Sequence, residues 1–290
     1  MFSESEFDYL LNEYTIIHNE KMKNHKKISV FLIVALFAIV ASLYALGLTS
    51  KEPANFLTPI YGGVLLVVLL IYLMFSYGTG SSKAFYEFIV QKVIDKYNFH
   101  MELDLKYSID KKTEFPHNNN SGLFTRYCRS NVRMHIKGRT EKDKEFDLYE
   151  LSLISGSGKN QTTHMNGIYI VLSNNTKVIQ QVRTNGRPHL KGTDYSRIES
   201  DTDYEYRVYL KEDMFERDLD ENYKDLFSRV MRDTVKQKGY LSVIENETHF
   251  ALHPFKLYKY RKLTLENLNL VYDKIKWLIE LVDELSIKEF

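Results

Sequence analysis

The chain has 290 residues, enough for about two structural units. Its 39 lysines and arginines nearly cancel its 38 aspartates and glutamates, which argues against a nucleic-acid binder working through bulk charge. A single cysteine, Cys128, excludes a disulfide framework and any multi-cysteine zinc or iron–sulfur centre.

Residues 3–24 have helical spacing, with Phe7, Leu10, Tyr14 and Ile17 on one stripe and Ser3 or Ser5 placed to cap the start. The acidic front half (Glu4, Glu6, Asp8, Glu13) suits packing on the protein's own domain better than lying on an anionic lipid surface. From Ile28 to Leu48 there are 21 residues without a charge. As a helix they would span about 31 Å, close to the roughly 30 Å hydrocarbon core of a bilayer. A second uncharged stretch runs from Phe56 to Tyr77, after a short link containing Pro53 and Asn55. The pair reads as a transmembrane hairpin, because core helices rarely run uncharged through 20 residues on every face.

Flanking cations orient the hairpin. Lys21, Lys23, Lys26 and Lys27 precede the first span, Lys83, Lys92 and Lys96 follow the second, and the loop 49–55 carries only Lys51 beside Glu52. The positive-inside rule then puts both termini in the cytosol. Gly62 and Gly63 would let another helix approach closely in the second span. Neither span carries an Asp, Glu, Lys, Arg or His, so the hairpin reads as an anchor or oligomerisation element, not a conduit.

A Gly78–Ser82 break leads to a helix expected from Lys83 to about Tyr97, and residues 110–122 read as loop. From Arg129 the period changes to two, with Val132, Met134 and Ile136 alternating with Arg133, His135 and Lys137. Strand-like runs follow at 146–154, 167–172, 178–182 and 204–210, several separated by polar turns, as in an antiparallel meander. Asp220 to Lys236 is helical in spacing, 240–244 and 249–252 are short strands, and a long apolar-striped helix runs from Leu263 to about Leu285. Strands in sequence with helices mostly at the ends make the fold α+β. The expected organisation is a cytosolic amphipathic helix at 1–27, a transmembrane hairpin at 28–77 (spans 28–48 and 56–77), and a cytosolic α+β domain at 78–290.

This order of elements resembles a bacterial family catalogued as domain of unknown function 3137. The motifs that carry the likeness are Ser121-Gly-Leu-Phe124, then Phe146, Asp147 and Glu150, then Asn166-Gly167-Ile-Tyr169. The segment Tyr206 to Leu219, the strand His249 to His253 and the final helix ending Val282-Asp-Glu-Leu285 complete it. The resemblance implies a membrane-tethered protein of the bacterial inner membrane and leaves its activity open.

No signature of catalysis stands out. Gly156-Ser-Gly158-Lys159 lacks the Walker spacing and lies between strands, so it reads as a hairpin turn. His100, Glu102 and Asp104 alternate as a solvated strand would, with no further partner at metal-ligand spacing. Cys128, with Arg126 and Arg129 beside it, has no motif that makes it a nucleophile. No catalytic residue, cofactor or metal is therefore expected. The most unusual feature is basic: Arg129, Arg133, Lys137 and Arg139, with His135 among them, would share one face of a strand. Such a face could grip an anion or lipid headgroups, and the competing reading is cross-strand pairing with Glu141, Asp143, Glu145 and Asp147. Arg183, Arg187 and His189 around the Asn185-Gly186 turn form a second, loop-borne candidate.

Two functional readings follow. The first is a non-enzymatic membrane-anchored protein, with the bilayer as one partner, whose α+β domain binds a protein or assembles with itself. The alternative is a ligand-gated effector that senses a nucleotide-like anion through the arginine face and perturbs the bilayer through its hairpin.

Overall fold

The computed structural model describes residues 1–49, 86–99, 105–108, 121–124, 129–174, 180–186, 195–201, 206–211, 221–234, 237–244, 246–258 and 263–287, with Val68, Met101, Phe115 and Pro188. The chain divides into two compact units, 1–90 with 260–269, and 91–259 with 270–290.

In the first unit, helix α1 runs from Glu4 to Thr49 without a break. The expected boundary at 27/28 is therefore not an end of a helix. No proline and, before Gly47, no glycine interrupts this stretch, so nothing in the backbone stops propagation. Ser3 caps the start: its Oγ accepts the Glu6 amide at 3.3 Å, and the Glu6 carboxylate accepts the Ser3 amide at 2.7 Å. This reciprocal pair is a capping box. The Phe2 amide donates to Asn269 Oδ1 at 2.6 Å, and Asn269 Nδ2 donates back to the Phe2 carbonyl at 3.3 Å. Phe2 and Leu10 are buried, and the rings of Tyr14 and Phe88 meet at 5.5 Å.

Among the described residues no helix is long and apolar enough to cross a membrane. The expected first span is the far half of α1, where only some side chains are described, and the second lies outside the described residues apart from Val68. Gly62 and Gly63 fall outside them as well. Val30, Phe31, Val34 and Phe37 of α1 are 59–72% exposed.

Helix α2 (86–99) crosses the division between the units. Among the described residues the second unit is built on nine antiparallel strands: β1 Lys106–Ser108, β2 Arg129–Arg139, β3 Glu145–Ser155, β4 Thr162–Ser173, β5 Gln180–Arg183, β6 Tyr195–Asp201, β7 Tyr206–Lys211, β8 Lys238–Ile244 and β9 Glu247–His253. Helices α3 (Glu221–Asp233) and α4 (Leu265–Ile287) complete the described elements. The sheet order is β1-β2-β3-β4-β9-β8-β5-β7-β6, so the β8–β9 hairpin lies between β4 and β5. The α+β class and the antiparallel sheet are as expected, while β1 and β6 are additional strands.

Both faces of the sheet are covered. On one, Ile136, Leu148, Ile170, Phe250 and Leu241 are buried in successive strands. There α3 comes close enough that a Cβ on Gly239 would sit 2.3 Å from Met231 Sδ and 3.0 Å from the Phe227 ring. On the other face, Phe115 and Leu123 pack on Tyr149, Leu151, Leu153, Tyr169 and Tyr240. Cover on both sides explains why FDLYELSLI and GIYIVL are nearly continuous apolar runs instead of strict alternations. The β3–β4 connection is the expected turn, with a short 3-10 segment at Gly158–Asn160. Gly156 has φ +74°, and a Cβ there would meet the Asn160 carbonyl at 2.3 Å. Only glycine fits that position.

Candidate functional site

The four cations of β2 do not share a face. Registered partners in an antiparallel pair point to the same side of the sheet. Arg129 pairs with Ile154 and Val132 with Leu151, but Met134, not Arg133, pairs with Glu150. Arg133 is thus the extra residue of a β-bulge, which shifts the alternation by one. Beyond it His135, Lys137 and Arg139 pair with Tyr149, Asp147 and Glu145 on one face, whereas Arg129 and Arg133 lie on the other.

Arg133 is bound into a polar network on its side. Its Nε is 3.1 Å from Glu150 Oε1, one terminal nitrogen donates to Ser152 Oγ at 3.2 Å, and the other donates to Asn166 Oδ1 at 2.6 Å. Glu150 is only 3% exposed, so the arginine is the charge that makes its burial tolerable. The Asn166 amide donates to His253 Nδ1 at 2.9 Å, and the Asn166 carbonyl accepts from Phe255 N–H at 3.2 Å. Three of the motifs behind the family resemblance therefore converge here, through Glu150, Asn166 and His253. This role was not legible in sequence, because their contacts are 14 to 87 residues apart along the chain.

Arg139 and His135 meet the acidic run of the turn, as the competing reading expects. Arg139 pairs with Asp143 at 2.8 Å and Glu145 at 3.2 Å. Its hydrogen bond to Asp143 holds the guanidinium above its ordinary pKa. His135 Nε2 is 2.6 Å from Asp147 Oδ1, and its ring stacks on Tyr149 at 4.4 Å. Arg129 donates to Gln161 Oε1 at 2.9 Å, and Lys137 is exposed.

Arg183 is buried at 3% exposure, not loop-borne. Its guanidinium donates to the carbonyls of Gly122 (3.3 Å) and Leu123 (2.7 Å) and to Gln181 Oε1 (3.0 Å). Gln181 and Ser242 donate to the Ser121 carbonyl at 2.9 and 2.6 Å. Together they fasten the Ser121–Phe124 segment to the sheet. Arg187, His189, Cys128, His100, Glu102 and Asp104 lie outside the described residues.

A second histidine also lies between a tyrosine and a carboxylate. His249 is fully buried, with Nδ1 3.3 Å from the Tyr169 hydroxyl and Nε2 3.0 Å from Glu247 Oε2. Burial, then the charges of Asp147 and Glu247, push the Tyr149 phenol up. These arrangements orient imidazoles against carboxylates. Among the described residues no three His, Cys, Asp or Glu side chains group as a metal site.

No protein-family model matches the chain, and neither a curated protein nor a solved structure matches it. The family resemblance therefore rests on the ordered motifs alone, and the fold and geometry carry the functional argument.

Proposed function

We propose that this is a membrane-anchored, non-enzymatic protein of the bacterial inner membrane. In this reading 28–48 and 56–77 form a transmembrane hairpin with both termini in the cytosol, and the α+β part binds a protein partner or assembles with itself. The observation that carries the reading is the Tyr14–Phe88 contact at 5.5 Å. If 28–48 crosses the bilayer, residues 14 and 88 can touch only if the chain crosses back between them. The uncharged stretch 56–77 is the segment with the length to do so. The exposed Val30, Phe31, Val34 and Phe37 support it further. Such an apolar helical face is costly in water and favourable against lipid.

The ligand-gated alternative drew on a four-cation face. The bulge divides that face, and carboxylates hold Arg133 and Arg139, which favours the anchor reading.

The test replaces Cys128 by serine and introduces one cysteine at a time, Lys51→Cys or Glu4→Cys. Carbonate-washed membranes should retain the protein. A membrane-impermeant maleimide should label Lys51→Cys in intact cells, and Glu4→Cys only after lysis. Release into the carbonate supernatant would overturn the anchor, and labelling of Glu4→Cys in intact cells would overturn the orientation.

A further inference from the structure

We infer that a groove in the second unit, between the end of α3 and the middle of α4, receives an arginine side chain from a partner protein. The inference rests on the reading that this part of the chain binds a protein. The groove has a volume of about 600 Å³ and is lined by Asp233, Thr234, Gln237, Phe255, Asp273, Lys274 and Trp277.

It offers three acceptors without a partner among the described residues, two carboxylates and an amide oxygen. Asp233 and Asp273 are exposed, and among the described residues neither has a hydrogen-bond or ion-pair partner. Gln237 Oε1 is buried without a hydrogen-bond partner. Asp233 is the last residue of α3, where helix carbonyls carry a partial negative charge. The one cation among the described residues of the lining is already committed. Lys274 Nζ donates to the carbonyls of Lys256 at 2.9 Å and Leu257 at 3.1 Å, 5.7 Å above the Phe255 ring.

The floor is aromatic. Phe255 stacks on Trp277 with centroids 6.2 Å apart and planes 16° from parallel. Aromatic faces are electrostatically negative and attract cations, tryptophan most strongly. Two free carboxylates, an unpaired amide oxygen, a helix C-terminus and a stacked indole call for a flat, donor-rich cation. A guanidinium fits this set, since it stacks on the ring while its fork of N–H donors reaches the carboxylates. An ammonium would supply charge without the planar stacking. The groove is open along the surface, which suits a side chain projecting from a peptide.

Trp277 is the only tryptophan of the chain, so its fluorescence reports on this groove directly. Full-length protein in detergent would be titrated with a short blocked peptide carrying adjacent arginines, with the same peptide carrying citrulline, and with spermidine. The expected result is a saturable change in Trp277 emission with the arginine peptide. Citrulline in the peptide, or the variant D233N/D273N, should each weaken binding by about tenfold or more, as loss of a cation–π contact and charge pairs predicts. Both substitutions are at exposed positions, and an unchanged melting temperature would verify folding of the variant. No saturable change, or equal affinity for the citrulline peptide or for the variant, would overturn the inference. Saturation by spermidine alone would overturn the peptide source. Carbonate extraction of the same preparation reads the membrane anchor independently, so the two failures are distinguishable.

Discussion

The guanidinium carbon of Arg183 lies 5.1 Å over the ring of Tyr240, and the Tyr240 hydroxyl donates to Asn185 Oδ1 at 2.7 Å. Arginine and tyrosine are registered neighbours on β5 and β8. The stack turns the guanidinium so that its donors reach the carbonyls of Gly122 and Leu123. Burial pushes the Tyr240 phenol up, and the Arg183 charge pulls it part of the way back.

Replacing Arg183 by methionine keeps most of the bulk but strands these buried carbonyls. The expected cost is about 2–4 kcal/mol, from several lost hydrogen bonds to a buried charge. Arg183→Lys should recover only part of it, because an ammonium cannot span the same fork of acceptors. Urea unfolding midpoints of the three proteins would measure the ordering. Equal midpoints for all three would show that the clamp carries no stability.

Arg133 and Arg139 stand six residues apart on one strand and should behave oppositely. Arg133→Ala leaves the buried Glu150 without its counter-charge, a loss of about 1–3 kcal/mol once the arginine's own partial exposure is allowed for. Arg139 is at the surface, 60% exposed, with two exposed partners. Its alanine variant should unfold at the wild-type temperature. Thermal melts at moderate salt decide the matter, and a larger effect at Arg139 than at Arg133 would contradict the assigned geometry.

Gly167 and Gly138 offer a contrast in space. A Cβ on Gly167 would stand 1.9 Å from the Leu252 carbonyl oxygen, a backbone atom of the neighbouring strand. A Cβ on Gly138 would meet Leu105 Cδ2 at 2.5 Å, the far end of a flexible side chain. Gly167→Ala should force β4 away from β9 and cost about 2–4 kcal/mol, whereas Gly138→Ala should cost clearly less. Guanidinium denaturation of the two variants checks this, and the reverse ranking would refute it.

Asp283 supplies the pH prediction. Burial raises its carboxyl above 3.8, and the nearby charges of Glu141 and Glu280 act in the same direction, while the Glu141 amide at 3.4 Å opposes them. Tyr97 shares this acidic neighbourhood: burial first, then Glu280 and Asp283, push it up to about 12. A carboxyl with a raised folded pKa binds its proton more tightly in the native state. Its contribution therefore favours folding below its folded value and is lost as pH rises from 3.8 through that value. At neutral pH the ionised carboxylate is a burden, so Asp283→Asn should be more stable than wild type. Its amide oxygen can still accept the Glu141 N–H. The advantage should shrink as pH falls through the folded value and be gone only well below 3.8, where the wild-type carboxyl is protonated in both states. Melting temperatures across that window test the sign, and a stability loss at neutral pH would contradict it.

Local pattern was enough for much of this architecture. The amphipathic spacing of α3 and α4, the change to period two at Arg129, the Gly156–Gly158 turn and the pairing of Arg139 with the acidic run all depend on residues within a few positions of one another. The uncharged stretches 28–48 and 56–77 are likewise written in composition alone. Other features arise only when distant strands meet. A single inserted residue at Arg133 reverses which side of the sheet every later side chain occupies, and no periodicity announces it. Strand β6 (Tyr195–Asp201) pairs through its backbone at the sheet's edge with one isoleucine in seven residues, so it gives no alternation to read. Arg183 precedes an Asn-Gly turn signal that suggests exposure, yet it is buried because Ser121–Phe124 folds over it from 60 residues away. Side-chain character fixes what each segment can become, and pairing across the chain decides which face it presents and what it touches.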